Sequence, residues 1–506
     1  MKPSLISLLV GAALLSPNLA LAEITDARAA EIARELAALK AMKAELDAKS
    51  REFEKRIESL ESEVTDASPK AAASLAAANA ATSANQTAVE RSAAPQKRPP
   101  PKPGSDTPKA GFYEPGKGFV VARDSMGELD ISAFTYARYL NQQGFDDTYT
   151  DSFGRTSNLD LRNDLQFQKI TLNFKGWLFD PRFKYLMYAW TSNTSQGDPA
   201  QVVLGGNLGF QFDEAFNLYA GIGALPSTRS TNYTFPNWLK NDHRTIADEF
   251  FRGSYTSGLW ASGKLAPGLE YRAMLGNNLS QLGVNAAQLD GELNTVSGAL
   301  WWMPTTGEYG PGQGLGDYEF HDEFATLFGV HFTHSREDAQ GQPGTEGFEN
   351  SQLRLSDGTL IFRTDPFGTG GDIRKATYQM AAINGGFKYK GWSLEAEVYQ
   401  RWLDDFVTTG PIPVDSVDDS GFQIQGSAMV IPGKLQAYAG YSQIFGDYGD
   451  PYDVSLGVNY FPLDRRELRL NMQALYLNDS PVGYSSVPFQ VGANGWAFST
   501  DVILAF

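Results

Sequence analysis

The chain has no cysteine in its 506 residues, so neither a disulfide framework nor thiolate metal ligation is open to it. Histidine is nearly as scarce, with four in all. The one close pair, His331 and His334, stands three apart on a predicted strand, which sends the two rings to opposite faces. A clustered-histidine metal site is therefore excluded. No nucleophile motif accompanies the few histidines, so no catalytic residue, metal, cofactor or enzyme activity is expected, and no nucleic-acid partner. Also missing, beyond the N-terminus, is any run of about 18 apolar residues of the kind a transmembrane helix requires.

What is present at the N-terminus is Lys2, an apolar run from Leu5 to Leu15, and Ala20-Leu21-Ala22. This is the form of a secretory signal with a small-residue cleavage site, expected to occupy residues 1–22. From 23 to 64 the pattern becomes heptad. Ile32, Leu39, Leu46, Phe53 and Leu60 recur every seven residues, with Leu36, Lys43, Ser50, Ile57 and Val64 four positions after each. A sustained period of seven predicts a coiled coil, placed in the periplasm and setting oligomeric state, with a homotrimer expected. A lone amphipathic helix is the alternative. Residues 65–110 turn Ala/Ser-rich and then Pro/Lys-rich around Pro95, Lys97, Arg98 and Pro99–Pro101. Such a stretch buries no core and reads as a linker, with peptidoglycan contact as a secondary use of its cations.

From about residue 128 to the end, ten- to thirteen-residue alternating segments are separated by turns. In Lys169–Gly176, Ile170, Leu172 and Phe174 share one face and Thr171, Asn173 and Lys175 the other. The final segment puts Phe498, Thr500, Val502, Leu504 and the terminal Phe506 on one face. Apolar-out, polar-in alternation closed by a terminal aromatic is the pattern of a lipid-facing barrel strand, and Phe506 is a candidate assembly signal. Short links at 179–182, 213–215, 266–268, 390–391, 432–433 and 463–466 alternate with long polar ones. That is the rhythm of periplasmic turns and extracellular loops. One link breaks it: 304–323 is long where a short turn is due.

The expected fold is thus an all-β transmembrane barrel of about 16 antiparallel strands over 111–506, preceded by an α-helical coiled-coil segment. Only helices and closed barrels satisfy backbone groups in lipid, and a barrel this wide encloses water rather than side chains alone. The predicted place is the bacterial outer membrane, with lipid and lipopolysaccharide around the wall.

The charge balance pulls two ways. Residues 1–110 carry 15 Lys/Arg and 14 Asp/Glu, leaving 27 and 45 for the rest. Much of this acidity clusters in predicted loops, as at Asp146 and Asp147 or Asp447, Asp450 and Asp453. Inward parity, however, favours bases: Lys169, Lys175, Lys184, Arg252, Arg272, Arg401 and Arg469 are candidate pore-wall residues. The loop 226–249 carries Arg229, Lys240, His243 and Arg244. Folded inward, it is the candidate constriction, offering charge-assisted donors to an oxyanion.

Leu218 through Pro226 to Arg229, followed by the glycine-rich Phe251–Lys264, resembles the phosphate-selective porin family. The signal segment, heptads, linker and terminal Phe506 are similar to that family too. The resemblance implies a sixteen-stranded trimeric porin in which inward loop and wall cations guide anions, with Arg229, Lys240 and Arg244 at the narrowing and Arg252 and Arg272 nearby. No stacked arginine ladder stands in the sequence. The expected function is passive diffusion of small solutes, anions such as phosphate among them. The alternatives are a general or cation-preferring porin, a barrel-anchored tether between outer membrane and cell wall, and a sleeve for another protein.

Overall fold

The computed structural model describes Lys40, Lys55 and residues 111–114, 116–191, 202–232, 238–241, 243–280, 292–339, 353–483 and 487–506. The predicted signal segment, coiled coil and linker lie outside the described residues, Lys40 and Lys55 apart.

A short ribbon, β1 (Phe112–Glu114) paired with β2 (Gly118–Arg123), leads into β3 (Gly127–Gln143). A second small hairpin, β4 (Thr148–Thr150) and β5 (Thr156–Asn158), decorates the link after β3. The wall continues through β6 (Asn163–Leu178), β7 (Asp180–Thr191), β8 (Val202–Gln211), β9 (Asn217–Ala224), β10 (Tyr255–Ala266), β11 (Leu269–Gly276) and β12 (Thr295–Trp302). It is completed by β13 (Ala325–Asp338), β14 (Ile373–Tyr389), β15 (Trp392–Thr408), β16 (Val417–Ile431), β17 (Leu435–Gly446), β18 (Tyr452–Tyr460), β19 (Leu468–Asn478) and β20 (Gly495–Ala505).

From β3 onward each wall strand pairs antiparallel with the next, and β20 pairs back onto β3 from Trp496↔Gln143 to Ala505↔Phe134. The sheet is closed. With β3 and β6 through β20 it has sixteen strands, as the turn rhythm predicted. Closure leaves no unpaired edge, which is what allows a β-structure to lie in lipid.

Alternation decides which face each residue takes. In β20, Trp496, Phe498, Thr500, Val502 and Leu504 are exposed on the outside, while Ala497, Ser499, Asp501 and Ile503 are buried within. The outer band continues around the wall in Leu204, Leu300, Phe328, Val398 and Leu456. Among the described residues no helix is long and apolar enough to cross a membrane. The architecture is a closed antiparallel β-barrel with an apolar outer band. Trp302, Trp392 and Trp496 stand outward and exposed near strand ends, as expected of an aromatic girdle. Trp190, Trp260 and Trp301 do not: their parity turns them into the lumen, where Trp260 and Trp301 are buried.

Phe506 is held by β3 and by the β1–β2 ribbon. Phe506 exchanges both backbone hydrogen bonds with Ala133, at 2.9 Å each. Its ring meets Phe119 of β2 edge-on at 5.3 Å, a favourable aromatic geometry.

Candidate functional site

The link between β9 and β10 turns into the lumen. Its first part carries a single 3-10 turn, Arg229–Asn232, and its last a short helix, α1 (Ile246–Phe251). Thr245 caps α1, its side chain accepting the Asp248 N–H, and Asp248 and Glu249 lie in the first turn, where carboxylates complement the exposed N–H groups. Ile246, Ala247, Phe250 and Phe251 are all buried. Phe251 stacks on Tyr399 of β15 at 5.0 Å, and Arg401 lies over Phe250 at 4.0 Å. Each such apolar side chain is worth about 1.5–3 kcal/mol on burial, so the helix prefers the inner wall to water.

Polar contacts fasten the rest of the loop. Lys240 Nζ pairs with Asp453 of β18 at 3.2 Å. Arg138 of β3 pairs with Asp501 at 2.7 Å and donates to the Asn241 carbonyl at 3.2 Å. Arg469 donates to the carbonyls of Trp238, at 2.7 Å, and Lys240, at 3.3 Å. Thr245 Oγ1 donates to Gln423 at 2.8 Å, and the Ala247 N–H donates to Ser442 at 3.2 Å. The loop therefore crosses the lumen and lies against the inner face of β15–β20 and β3.

Each predicted constriction residue is inside, but none is the bare donor expected. Arg229 Nε meets Glu395 at 2.9 Å, its backbone N–H donates to Glu397 at 2.8 Å, and its guanidinium also bonds the Gln313 carbonyl. Arg244 stacks on Trp238 at 4.6 Å, donates to Ser230 at 2.7 Å, and faces Asp248 and Glu249 at 3.7 and 3.5 Å. His243 accepts from Gln473 Nε2 at 3.0 Å through Nε2 and donates from Nδ1 to the Arg244 carbonyl at 3.1 Å. Burial first, then the Lys240 and Arg138 cations, hold its imidazole well below the usual histidine range. Wall carboxylates neutralise two of the loop cations, Glu395 with Arg229 and Asp453 with Lys240.

Three predicted wall residues are also corrected. Arg252 is not on the wall; it caps the end of α1 and pairs with Glu249. Arg401 and Arg469 do face inward, but both are buried and hold loops rather than line water. Arg401 pairs with Asp419 at 2.6 Å and donates to the Arg354 carbonyl at 2.7 Å. That second bond ties down part of a long link between β13 and β14 that turns inward. Leu353, Leu355, Ile361 and Phe367 are buried in the same cluster as Tyr378, Leu403 and Ile444 of β14, β15 and β17. The local run of Leu353, Leu355, Leu360, Ile361 and Phe362 within a polar link is the signal that could have shown it.

The opposite wall is different. Several inward residues of β6–β10, Asn173, Tyr188, Tyr219 and Ser262 among them, are half-buried, while Gln166, Gln168, Thr256 and Trp260 are buried. Here stand the remaining predicted cations. Lys169 sits at a bulge, with φ 53, 5.4 Å over the Trp190 ring. Lys175 donates to the Gly116 carbonyl at 3.2 Å. Arg272 lies 5.0 Å over Trp260, itself stacked on Tyr219 at 5.5 Å. Lys184 is half-buried on the same face. Asp164 and Glu270 are the carboxylates among the inward residues of β6–β11 that the structure describes. Among the described residues, the inward faces of β6–β9 are thus the less covered side of the lumen, opposite the inward loop.

Neither a protein-family model nor a curated protein matches the chain. Solved structures do. The outer-membrane protein OmpT of Vibrio cholerae aligns at 12% identity over 76% of this chain and 100% of its own, with a TM-score of 0.47. An anion-selective porin from Comamonas acidovorans aligns at 9% identity over 75% and 100%, with a TM-score of 0.46. The outer-membrane channel DcaP of Acinetobacter baumannii aligns at 11% identity over 79% and 100%, with a TM-score of 0.45. These likenesses carry no argument about activity; the strand pairing by itself defines the closed sixteen-stranded barrel.

Proposed function

We propose that the protein is an outer-membrane porin: a water-filled channel for passive diffusion of small solutes, with a preference for anions. The observation that carries the anion preference is the asymmetry of the lumen. On the covered side carboxylates and cations are paired off: Arg138 with Asp501, Lys240 with Asp453, Arg401 with Asp419. On the open side Lys184 and Arg272 stand on the inward face, Arg272 over an aromatic ring, with Lys169 beside Trp190 and Lys175 across from Asp130 of β3. In a narrow, partly desolvated passage a fixed charge acts more strongly than in bulk water, and the cations of this wall outnumber its carboxylates. Phosphate is one anion of suitable size; the resemblance noted in the sequence favours it over others. Assembly as a homotrimer, contact of the outer wall with lipopolysaccharide, and a role for Phe506 in assembly belong to the same reading.

A second reading, a cation-preferring channel, is favoured by one observation. A cleft at the long-loop end is lined by Asp146, Asp151, Asp357, Asp450 and Asp479. Burial, then the nearby Asp146 carboxylate, pushes the Asp479 carboxyl up, which blunts but does not remove that field.

Reversal potential in a planar bilayer under a KCl gradient separates the two. The anion reading predicts a reversal on the chloride side that collapses in a Lys175→Gln/Lys184→Gln/Arg272→Gln variant. Reversal on the potassium side, unchanged in that variant, assigns selectivity to the acidic mouth.

A further inference from the structure

The link Pro304–Glu323 is too long for the end of the barrel where it sits, and the structure shows where the extra length goes. It starts beneath β12 and finishes at β13, but between them it crosses the short-turn mouth to the far wall. Tyr318 donates to the Gly433 carbonyl at 3.3 Å in the β16–β17 turn and packs edge-on against Phe461 at 4.8 Å. Glu319 pairs with Arg466 at 3.0 Å. Asp317 is fully buried and accepts the Gly391 N–H at 2.7 Å from the β14–β15 turn. These three anchors fix the strap along three successive short turns, β14–β15, β16–β17 and β18–β19.

Its middle rises to meet the loop that descends from the other end. Gln313 Nε2 donates to Glu270 of β11 at 2.7 Å, while its carbonyl accepts from Arg229 of the loop. Lys388 of β14 donates to the Tyr309 carbonyl at 2.9 Å and lies 4.4 Å over that ring. Leu315 joins Leu239 of the loop and Tyr438 of β17 in one buried cluster. Gly316 has φ +79, and a Cβ there would come within 3.1 Å of the Leu239 side chain, so strap and loop fit closely. Between Tyr309 and Leu315, both buried, Pro311 and Gly312 are exposed at the tip.

Resting on the porin reading, we propose that the 304–323 strap is the second half of the eyelet. It holds loop 226–249 from the short-turn side, its Pro311–Gly312 tip borders the passage, and loop and strap together set the cross-section and hence the size of solute admitted. Arg229 is then a positioning residue that clips the two pieces, through Glu395 and Gln313, rather than a ligand for the solute.

The test is single-channel conductance of the full chain, with heat-modifiable gel mobility confirming that each variant barrel is folded. Pro311→Trp adds bulk at the tip and lowers conductance by about half; Leu315→Ser loosens the strap and raises it roughly twofold. Because the chain has no native cysteine, Leu239→Cys/Leu315→Cys reports the junction directly: it oxidises to a disulfide in the folded barrel and keeps conductance near wild type. Wild-type conductance in both single variants, or failure of the cysteine pair to cross-link, overturns the strap proposal alone. A wild-type barrel that passes no current overturns the channel reading as well.

Discussion

Arg401 is the side chain on which two inward segments depend, and removing it makes the sharpest energetic test. It and Asp419 are both fully buried and 2.6 Å apart. Its guanidinium also donates to Arg354 of the 353–372 segment and covers Phe250 of α1. Arg401→Met keeps the stem over Phe250 but leaves Asp419 buried without its partner. Breaking such a pair costs about 3–5 kcal/mol. Because the inward segments open at lower free energy than the barrel unfolds, the loss falls on them. At 1.4 kcal/mol per tenfold, backbone amides of α1 exchange with solvent roughly a hundred- to several-thousand-fold faster. Asp419→Leu added to Arg401→Met removes the stranded charge, and replacing both partners with apolar groups is close to neutral. The double variant therefore regains most of the protection. Hydrogen exchange followed by mass spectrometry reads both. Unchanged exchange in Arg401→Met, or a double variant as labile as the single, refutes the fastening role.

The neutral His243 predicts acid sensitivity of the inward loop. Its imidazole accepts from Gln473 only while unprotonated, and its folded-state pKa is depressed relative to about 6.5 in an unfolded chain. The unfolded state thus binds the proton more readily, so the loop's stability is full above the ordinary imidazole pKa and falls as pH drops below it. Conductance noise rises on acidification from pH 7 towards 5, and His243→Gln flattens the response; an identical rise in that variant places the acid-sensitive group elsewhere. On the outer wall, Leu456→Arg costs about 2–4 kcal/mol of barrel stability if that face meets the bilayer midplane. A denaturant titration in lipid that shows no change removes Leu456 from the lipid-facing band.

The barrel was legible in the sequence because two independent regularities agree. Period-two alternation in segments such as 169–176 and 498–506 gives the facing of side chains, and turn lengths give the count of strands. Closure through β20 and β3 follows from both. The fate of side chains within the lumen was less legible, because strand parity states that Arg401 points inward but not what lies over it. Lys240 and Asp453 are 213 residues apart, and no local pattern announces such a pairing. Arg252 was placed on a strand because Phe251–Lys264 reads as one glycine-rich run; the Thr245 cap and the apolar Ile246–Phe251 turn are the signs that a helix comes first. For 304–323 the unusual length was visible, while its course across the mouth was not, since it depends on turns 433, 461 and 466 from distant parts of the chain. Nor does the acidic composition announce that Glu395, Asp419, Asp453 and Asp501 are inward counter-charges to Arg229, Arg401, Lys240 and Arg138.

Thiol accessibility measures directly where water runs in a chain without cysteine. Single cysteines at Asn173 and Ser262 on the open wall, and at Ser442 and Ser455 beneath the inward loop, are tested with a membrane-impermeant thiosulfonate during current recording. The account predicts rapid modification and a stepwise fall in conductance at the first two, and protection at the second two. Equal reactivity at all four, or reaction only at Ser442 and Ser455, contradicts a passage along the β6–β11 wall.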